Sequence, residues 1–306
     1  MIPLLDWQDF ETNRDAFVSA IGAACRGPGF FLLKNPPVPA DLRAEVFRQA
    51  DTFFALPAQE KTKLDIRKTP HYRGWAAQGV ESLDDSTAQV DLKESFNIGY
   101  DLAAHDPRVL AGEPFRGVNV WPDLPGFRQT MLTYFDAALD LGRQIHRAFA
   151  ADLGLAEDSF AKAFDEPLAA MRLLHYPPGT GADNEIGAGA HTDYGAITLL
   201  MTDGEPGLQV KPRGGDWQDV PHVDGAYIVN IGDCLMRWTN DIYMSTPHRV
   251  LPPKRQRRSV AFFVEANPDT IIQALPGTGA AKYPPIRAAD YLQSRLDATY
   301  APKGAT

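Results

Sequence analysis

Three residues that commonly bind metal ions stand out in the sequence. His191 and Asp193 are separated by one residue, and His248 follows much later in the chain. In an extended segment, residues i and i+2 point to the same side, so His191 and Asp193 can present two ligands to one point. A third ligand from a later strand would complete two imidazoles and one carboxylate, a set that binds non-haem Fe(II) and leaves positions open. His-x-Asp also arises by chance, so a structural histidine beside a turn aspartate stays an alternative.

A second group of residues could bind a carboxylate. Arg257 and Ser259 are again an i, i+2 pair, at the start of an apolar run that we expect to lie next to His248. A planar guanidinium with a hydroxyl beside it suits a terminal carboxylate. The run from residue 171 to 176 places Tyr176 where its phenol can donate to the same carboxylate. Three chain segments would then converge on one metal ion and one anion.

Composition limits the classes of protein to which the chain can belong. The 306 residues carry a net charge of −9, with 44% hydrophobic and 23% charged side chains, which is typical of a globular protein of one or two domains. The acidic balance argues against a nucleic-acid binder, and no apolar stretch of about 18 residues predicts a membrane span. Only two cysteines occur, and the N-terminus has no signal-peptide pattern, so we expect a reducing, cytoplasmic setting.

Apolar spacing predicts three helices around a core of strands. A helix over residues 40 to 56 would have Asp41 as its N-cap and Pro57 as its stop, and a longer amphipathic helix over 126 to 153 would pack along a sheet. A third helix is predicted over residues 284 to 296. Each of these helices lies outside the region in which the short apolar runs are concentrated.

The remaining pattern is that of short strands separated by turns. Strands are expected over residues 95–98, 171–176, 197–202, 208–211, 226–231, 249–251 and 259–265. Short strands with few intervening helices are typical of a jelly roll or barrel. We therefore predict an α+β, mainly β fold, with a double-stranded β-helix (jelly-roll, cupin-like) core flanked by N- and C-terminal helices. Its expected parts are an N-terminal region 1–120, a long packing helix 121–165, the core 166–270 and a C-terminal segment 271–306.

The sequence resembles the isopenicillin N synthase-like family of Fe(II)- and 2-oxoglutarate-dependent dioxygenases over nearly its whole length. The resemblance lies in the motifs IPLLDW, GPGFFLLKN, FFALPAQEK, DLKESFNIGY, MRLLHYPP, GAHTDYGAITLL, VNIGDCLMRWTND, STPHRV and RRSVAFFVE. It implies that His191, Asp193 and His248 bind iron. It also implies that Arg257, Ser259 and Tyr176 hold the distal carboxylate of 2-oxoglutarate.

The resemblance implies an oxidoreductase that uses Fe(II), 2-oxoglutarate and O₂, releases succinate and CO₂, and by default hydroxylates a small molecule. Leu174 departs from the family, because many members have Asn at this position. The Arg-x-Ser pair does not by itself decide the co-substrate, since the synthase branch keeps it without using 2-oxoglutarate. A 2-oxoglutarate-independent iron oxidase is therefore one alternative. A catalytically silent or zinc-bound jelly-roll protein is another.

Four residues match family positions near the substrate: Arg172, Tyr194, Phe263 and Glu81. Arg172 and Glu81 together could hold an amino-acid-like or carboxylated ligand. The alternatives are that Arg172 pairs with a core carboxylate, that Glu81 is solvated and that Phe263 belongs to the core. We expect no nucleic-acid or membrane partner.

The other histidines are not expected to bind the metal ion. His146 lies near the apolar stripe of the long helix, which favours a structural role, and His175 should face away from the pocket. Surface loops are expected around His71, His105 and His222, because Pro and Gly surround them.

Overall fold

Short, largely buried strands form the centre of the molecule. The computed structural model describes residues 1–69, 71–80, 91–182 and 185–300. Its strands are β1 Leu4–Asp6, β2 Phe30–Lys34, β3 Gly74–Ala76, β4 Glu94–Gly99, β5 Ala170–Tyr176, β6 Ala188–His191, β7 Ile197–Thr202, β8 Leu208–Val210, β9 Gln218–Asp219, β10 Tyr227–Ile231, β11 His248–Val250, β12 Arg257–Val264, β13 Ile271–Ile272 and β14 Ile286–Arg287.

These strands form a large and a small sheet. The large sheet has eight strands in the order β1-β2-β10-β7-β12-β5-β4-β3, the small one has four in the order β6-β11-β8-β9, and β13 pairs with β14. Apolar side chains of both sheets share one core, which contains Phe30, Leu174, Ala188, Val250 and Ala261. The two sheets therefore face each other, and the predicted jelly-roll core is confirmed.

Helices α2 (Arg14–Arg26) and α6 (Phe127–Asp152) pack against the other face of the large sheet. The other helices of the described residues are α1 Asp9–Thr12, α3 Ala40–Phe54, α4 Ala58–Thr62, α5 Pro107–Leu110, α7 Asp233–Trp238 and α8 Ala288–Tyr300, with 3₁₀ turns at Ile66–Lys68 and Ala161–Phe164. The long helix α6 buries one stripe against this face, and Phe135 meets Phe262 of β12 edge to face at 4.9 Å. A Cβ on Gly142 would lie 2.6 Å from Val264, so glycine lets this helix approach the sheet closely.

Strand β12 shows how one sequence pattern serves both faces. Val260, Phe262 and Val264 belong to the core beneath the helices. The intervening residues, Ala261 and Phe263, belong to the core between the sheets. The period of two in the sequence thus decides which side chains can reach a site between the sheets.

The structure corrects three local predictions. Asp41 is not an N-cap, because α3 begins at Ala40 with Pro39 in the capping position. Helix α8 begins later than predicted, since Ile286–Arg287 pairs as β14. The strand that carries Arg257 does not lie next to His248, because β12 pairs with β5 and β7 whereas β11 pairs with β6 and β8.

Within the described ranges, no helix is both long enough and apolar enough to pass through a bilayer. The boundaries of the four expected parts of the chain stay predictions.

Candidate functional site

Two antiparallel strands of the small sheet bring the two predicted metal-binding histidines together. His191 ends β6, His248 begins β11, and they are direct partners across the ladder. Asp193 follows β6 and places Oδ1 3.8 Å from Nε2 of His191 and 3.6 Å from Nε2 of His248. One ligand atom from each residue lies within 4.8 Å of the others. The three side chains therefore converge on a volume the size of one metal ion.

Backbone carbonyl groups fix the orientation of both imidazoles. Nδ1 of His191 lies 2.7 Å from the carbonyl oxygen of Gly189, and Nδ1 of His248 lies 3.2 Å from that of Thr246. A carbonyl oxygen can only accept a hydrogen bond, so Nδ1 carries the proton in each ring. The lone pair of each Nε2 consequently faces the shared volume, as a metal ligand requires.

The carboxylate of Asp193 is held by its other oxygen. The amide of Asn230 donates to Oδ2 at 2.7 Å, and the hydroxyl of Thr198 donates to the same atom. Both donors come from the large sheet, from β10 and β7. Oδ1 is thereby left to face the imidazoles.

Asp233 joins the surrounding segments to the backbone of Asp193. Its backbone N–H donates to the carbonyl oxygen of Asp193 at 2.7 Å. Its side chain accepts hydrogen bonds from Ser245 at 2.6 Å and from Thr192 and Tyr291 at 3.1 Å. The segment around Asp193 is therefore braced from both neighbouring loops and from helix α8.

Burial and mutual charge set the protonation of the site. Burial, with His248 close by, lowers the pKa of His191 to about 4. Burial alone would raise the pKa of Asp193, but His248, His191, Asn230 and Thr198 outweigh it and the pKa is lowered. At neutral pH the site therefore offers a neutral imidazole of His191 and an ionised carboxylate. Together with His248 this donor set suits Fe(II).

Arg257 supplies the opposite charge across the same cavity. Only 1% of this residue is exposed, and its Nε donates to the carbonyl oxygen of Glu205 at 3.2 Å. Nη1 lies 3.4 Å from Oγ of Ser259, and the guanidinium sits 5.0 Å from the ring centre of Tyr176. Within the described part of the chain, no carboxylate lies within 4.0 Å of Arg257. Because a buried charge needs a partner of opposite charge, this guanidinium is positioned to bind an anion.

The cavity between the sheets contains both groups of residues. Its volume is about 70 Å³, and its lining includes the three metal-binding candidates together with Arg257, Ser259, Tyr176, Leu174, Lys93, Asn230 and Phe263. Leu174, at the position where the resemblance leads us to expect Asn in many members, contributes an apolar wall. Tyr176 contributes its ring face to Arg257, and its hydroxyl has no hydrogen bond with another described residue.

A second cavity of about 130 Å³ opens on the other side of His191 and Asp193. Arg172, Tyr194 and Phe263, three of the predicted substrate residues, line it. Nε of Arg172 donates to Oδ1 of Asn97 at 3.0 Å. Glu81, the fourth predicted residue, lies outside the described residues.

Sequence reasoning missed several residues of this second cavity. His71 and Arg73 line it from the segment before β3, and Leu292 and Leu296 line it from α8. Residues so distant in the chain share no spacing pattern.

Glu265 is a further missed residue of this cavity, and it could have been found. It continues the inward alternation of β12 beyond Phe263, and burial, with Asp193 and Asp233 near, raises its pKa to about 8.

The histidines set aside on sequence grounds lie away from the site, with one exception. His146 is buried in α6, where its Nδ1 lies 2.7 Å from the carbonyl oxygen of Gly142, and His175 bonds to Glu94 at 2.9 Å. The exception is His71, which lines the second cavity rather than an open surface loop.

Comparison with known proteins decides the family. A model described as the N-terminal region of non-haem dioxygenases in morphine synthesis matches residues 2–124, and that of the 2OG-Fe(II) oxygenase superfamily matches residues 167–266. The chain belongs to this superfamily. It is 36% identical to the 2-oxoglutarate-Fe(II) type oxidoreductase hxnY of Emericella nidulans, covering 97% of this chain and 90% of the relative. It is 34% identical to the clavatol oxidase claD of Penicillium crustosum, covering 98% and 97%.

A solved structure agrees with this assignment. A full-length Neurospora crassa protein, crystallised in complex with alpha-KG and thymine, superposes with a TM-score of 0.85 at 35% identity, covering 97% of this chain and 96% of the other. The protein is thus an Fe(II)- and 2-oxoglutarate-dependent dioxygenase that uses O₂. The predicted family, activity and cofactors are confirmed, and 2-oxoglutarate use is favoured over the oxidase and zinc alternatives.

Proposed function

We propose that His191, Asp193 and His248 hold the iron of this 2OG-Fe(II) oxygenase, and that Arg257 and Ser259 hold the distal carboxylate of 2-oxoglutarate. The observation that carries this proposal is the buried guanidinium of Arg257, which has no carboxylate partner in the described chain and shares one cavity with the three metal-binding candidates. A dicarboxylic co-substrate can reach from the metal to such a cation.

The part of the protein in the reaction is to bind the co-substrate and to exclude water from the reacting atoms. Iron with 2-oxoglutarate supplies the activation of O₂, with succinate and CO₂ as the products of the co-substrate. The guanidinium of Arg257 fixes the far carboxylate, and the ring of Tyr176 covers one face of that guanidinium. Apolar side chains around the pocket, including Leu174 and Val250, keep water from the reacting atoms.

The second cavity is the proposed substrate site. Tyr194 and Phe263 offer aromatic faces beside the metal-binding residues, and Arg172 and Arg73 offer donors. A cavity of about 130 Å³ suits a molecule of one ring, since a cavity of roughly 150 Å³ accommodates benzene. The thymine bound by the Neurospora crassa relative is a molecule of this size. We therefore propose hydroxylation of a small single-ring molecule.

The two arginines favour a substrate rich in hydrogen-bond acceptors. Arg73 is 5% exposed, donates to the carbonyl oxygen of Phe115 at 3.1 Å and keeps no acidic partner in the described chain. Burial, with Arg116 nearby, lowers the pKa of Arg73 to about 10, so it remains a cation at neutral pH. A carboxylate or a ring carbonyl of the substrate would pair with Arg73. The amino-acid-like or carboxylated ligand expected from Arg172 and Glu81 together stays a prediction.

Turnover of single-ring carbonyl and carboxylate compounds tests the proposal. Purified protein is supplied with Fe(II), 2-oxoglutarate and ¹⁸O₂, while O₂ consumption, succinate and an oxygen-labelled product are measured. We expect His191→Ala to abolish all three signals. His222→Ala is the matched control, because this exposed histidine pairs with Asp224 outside both cavities, and it should leave them unchanged. Succinate formation that survives in the His191 variant would refute the assignment.

A further inference from the structure

One face of β12 connects the two cavities. Arg257, Ser259 and Ala261 line the cavity of the co-substrate, and Phe263 lines both cavities. Glu265, directly after the strand, continues the same alternation and lines only the substrate cavity. A carboxyl group therefore stands at the end of the strand that begins with the co-substrate anchor.

The protein makes specific room for this carboxyl group. A Cβ on Gly195 would lie 2.4 Å from Cδ of Glu265 and 2.4 Å from its Oε2. The backbone of Gly195 is not in the left-handed region, so space rather than conformation requires glycine there. Glycine two residues after Asp193 thus seats the carboxyl group of Glu265 beside the proposed metal site.

The seated carboxyl group has no protein partner. Glu265 is 7% exposed, and within the described ranges it makes no hydrogen bond or ion pair. Buried polar groups are normally satisfied, and leaving one unsatisfied is costly. Because this group lines a cavity rather than a packed core, its missing partner belongs to a ligand in that cavity.

We propose that Glu265 is a specificity-determining residue that accepts a hydrogen bond from an N–H group of the substrate. The inference rests on the proposed function, because it takes the cavity of Glu265 and Arg172 as the substrate site. The substrate would then combine a carbonyl or carboxylate, facing Arg172 and Arg73, with a ring or amino nitrogen that carries a proton. Cyclic amides and amino-substituted ring acids have this pairing of groups.

Matched probe pairs test the nitrogen requirement. Uracil is compared with 1,3-dimethyluracil, and 2-aminobenzoate with benzoate, by anaerobic calorimetric titration into the full-length protein loaded with Mn(II) and 2-oxoglutarate. A hydrogen bond to an uncharged carboxyl group corresponds to roughly twofold to tenfold in affinity. We expect the N–H member of at least one pair to bind about threefold to tenfold more tightly, Glu265→Met to abolish that preference and Glu265→Gln, which keeps a carbonyl oxygen as acceptor, to retain part of it.

Controls separate this inference from the proposed function. Glu11→Gln makes the same replacement of a carboxyl group by an amide at an exposed helix position and should keep the preference. Thermal melting and the dissociation constant of 2-oxoglutarate should be unchanged in both Glu265 variants. A wild-type protein with no preference in either pair, or a preference that survives Glu265→Met, would overturn the role of Glu265. Failure of the wild-type protein to bind 2-oxoglutarate would instead overturn the proposed function.

Discussion

Replacing Arg257 by methionine is the most direct test of how the co-substrate is held. Methionine keeps an apolar chain in a pocket where only 1% of the residue is exposed, but it removes the cation and its donors. Two charge-assisted hydrogen bonds to a carboxylate contribute roughly 1.5 kcal/mol or more each. At about 1.4 kcal/mol for each factor of ten, we expect 2-oxoglutarate to bind roughly a hundredfold more weakly.

The assay is anaerobic titration of Fe(II)-loaded protein with 2-oxoglutarate, followed by the weak visible charge-transfer band of the chelate. Arg257→Lys keeps the charge without the planar fork, so its loss should be about tenfold. Arg258→Met is the matched control, because Arg258 lies next in the chain but pairs with Asp51 on the helix-covered side. Equal affinities of wild type and Arg257→Met would refute the reasoning.

Stability gives a second, independent measurement of the same variant. Because Arg257 has no carboxylate partner in the described chain, its removal should change the ligand-free unfolding free energy by less than about 1 kcal/mol. At a 2-oxoglutarate concentration of about 100 times the wild-type dissociation constant, the wild type should gain about 2.7 kcal/mol and Arg257→Met only about 0.4 kcal/mol. A large loss of stability without ligand would instead assign Arg257 a structural role.

Three further predictions concern the surroundings of the site. Asn230→Ala removes the donor 2.7 Å from Asp193, so Fe(II) affinity in a chelator competition should fall roughly tenfold to hundredfold, and unchanged affinity would argue against this support. Gly142→Ala places Cβ 2.6 Å from Val264, so the unfolding free energy in urea should fall by about 1–3 kcal/mol although alanine favours helix; a gain would contradict the close packing. Burial lowers the pKa of His146 to about 4, so the unfolded chain binds its proton first and stability is lost as pH falls below about 6.5. Between pH 7 and 5 the wild type should lose about 2 kcal/mol more than His146→Leu, and parallel urea profiles would refute this.

The sequence predicted where helices and strands lie along the chain better than it predicted which strands pair with each other. Helix α6 could be read from its apolar stripe, and the predicted span of 126 to 153 differs by one residue at each end. Strand β12 was also found, but it was placed beside His248 although it lies in the other sheet. Alternation is a local property that reveals the two faces of a strand, whereas long-range packing decides which strand lies beside it.

The same distinction applies to the site. The spacing predicted that His191 and Asp193 point to one side, and that Arg257 and Ser259 do the same. An i, i+2 pair in an extended segment shares a face whatever the sheet topology. Arg73 and the leucines of α8 reach the second cavity from segments far apart in the chain, so no spacing pattern could reveal them. Glu265 could have been predicted, because it continues by two residues the inward alternation of β12 that placed Phe263 at the site.

The inward face of β12 also bears on how such an enzyme could acquire a new substrate. Arg257 lies at one end of this strand, while Glu265 directly follows the other end, eight residues further and roughly 26 Å along an extended chain. Because Glu265 lines only the substrate cavity, substitutions there can reshape that cavity while the grip of Arg257 on 2-oxoglutarate stays intact. An insertion of one residue between the two would instead turn every later side chain of the strand to the other face. Divergence by substitution, with the length of this strand preserved, is the route that this architecture leaves open.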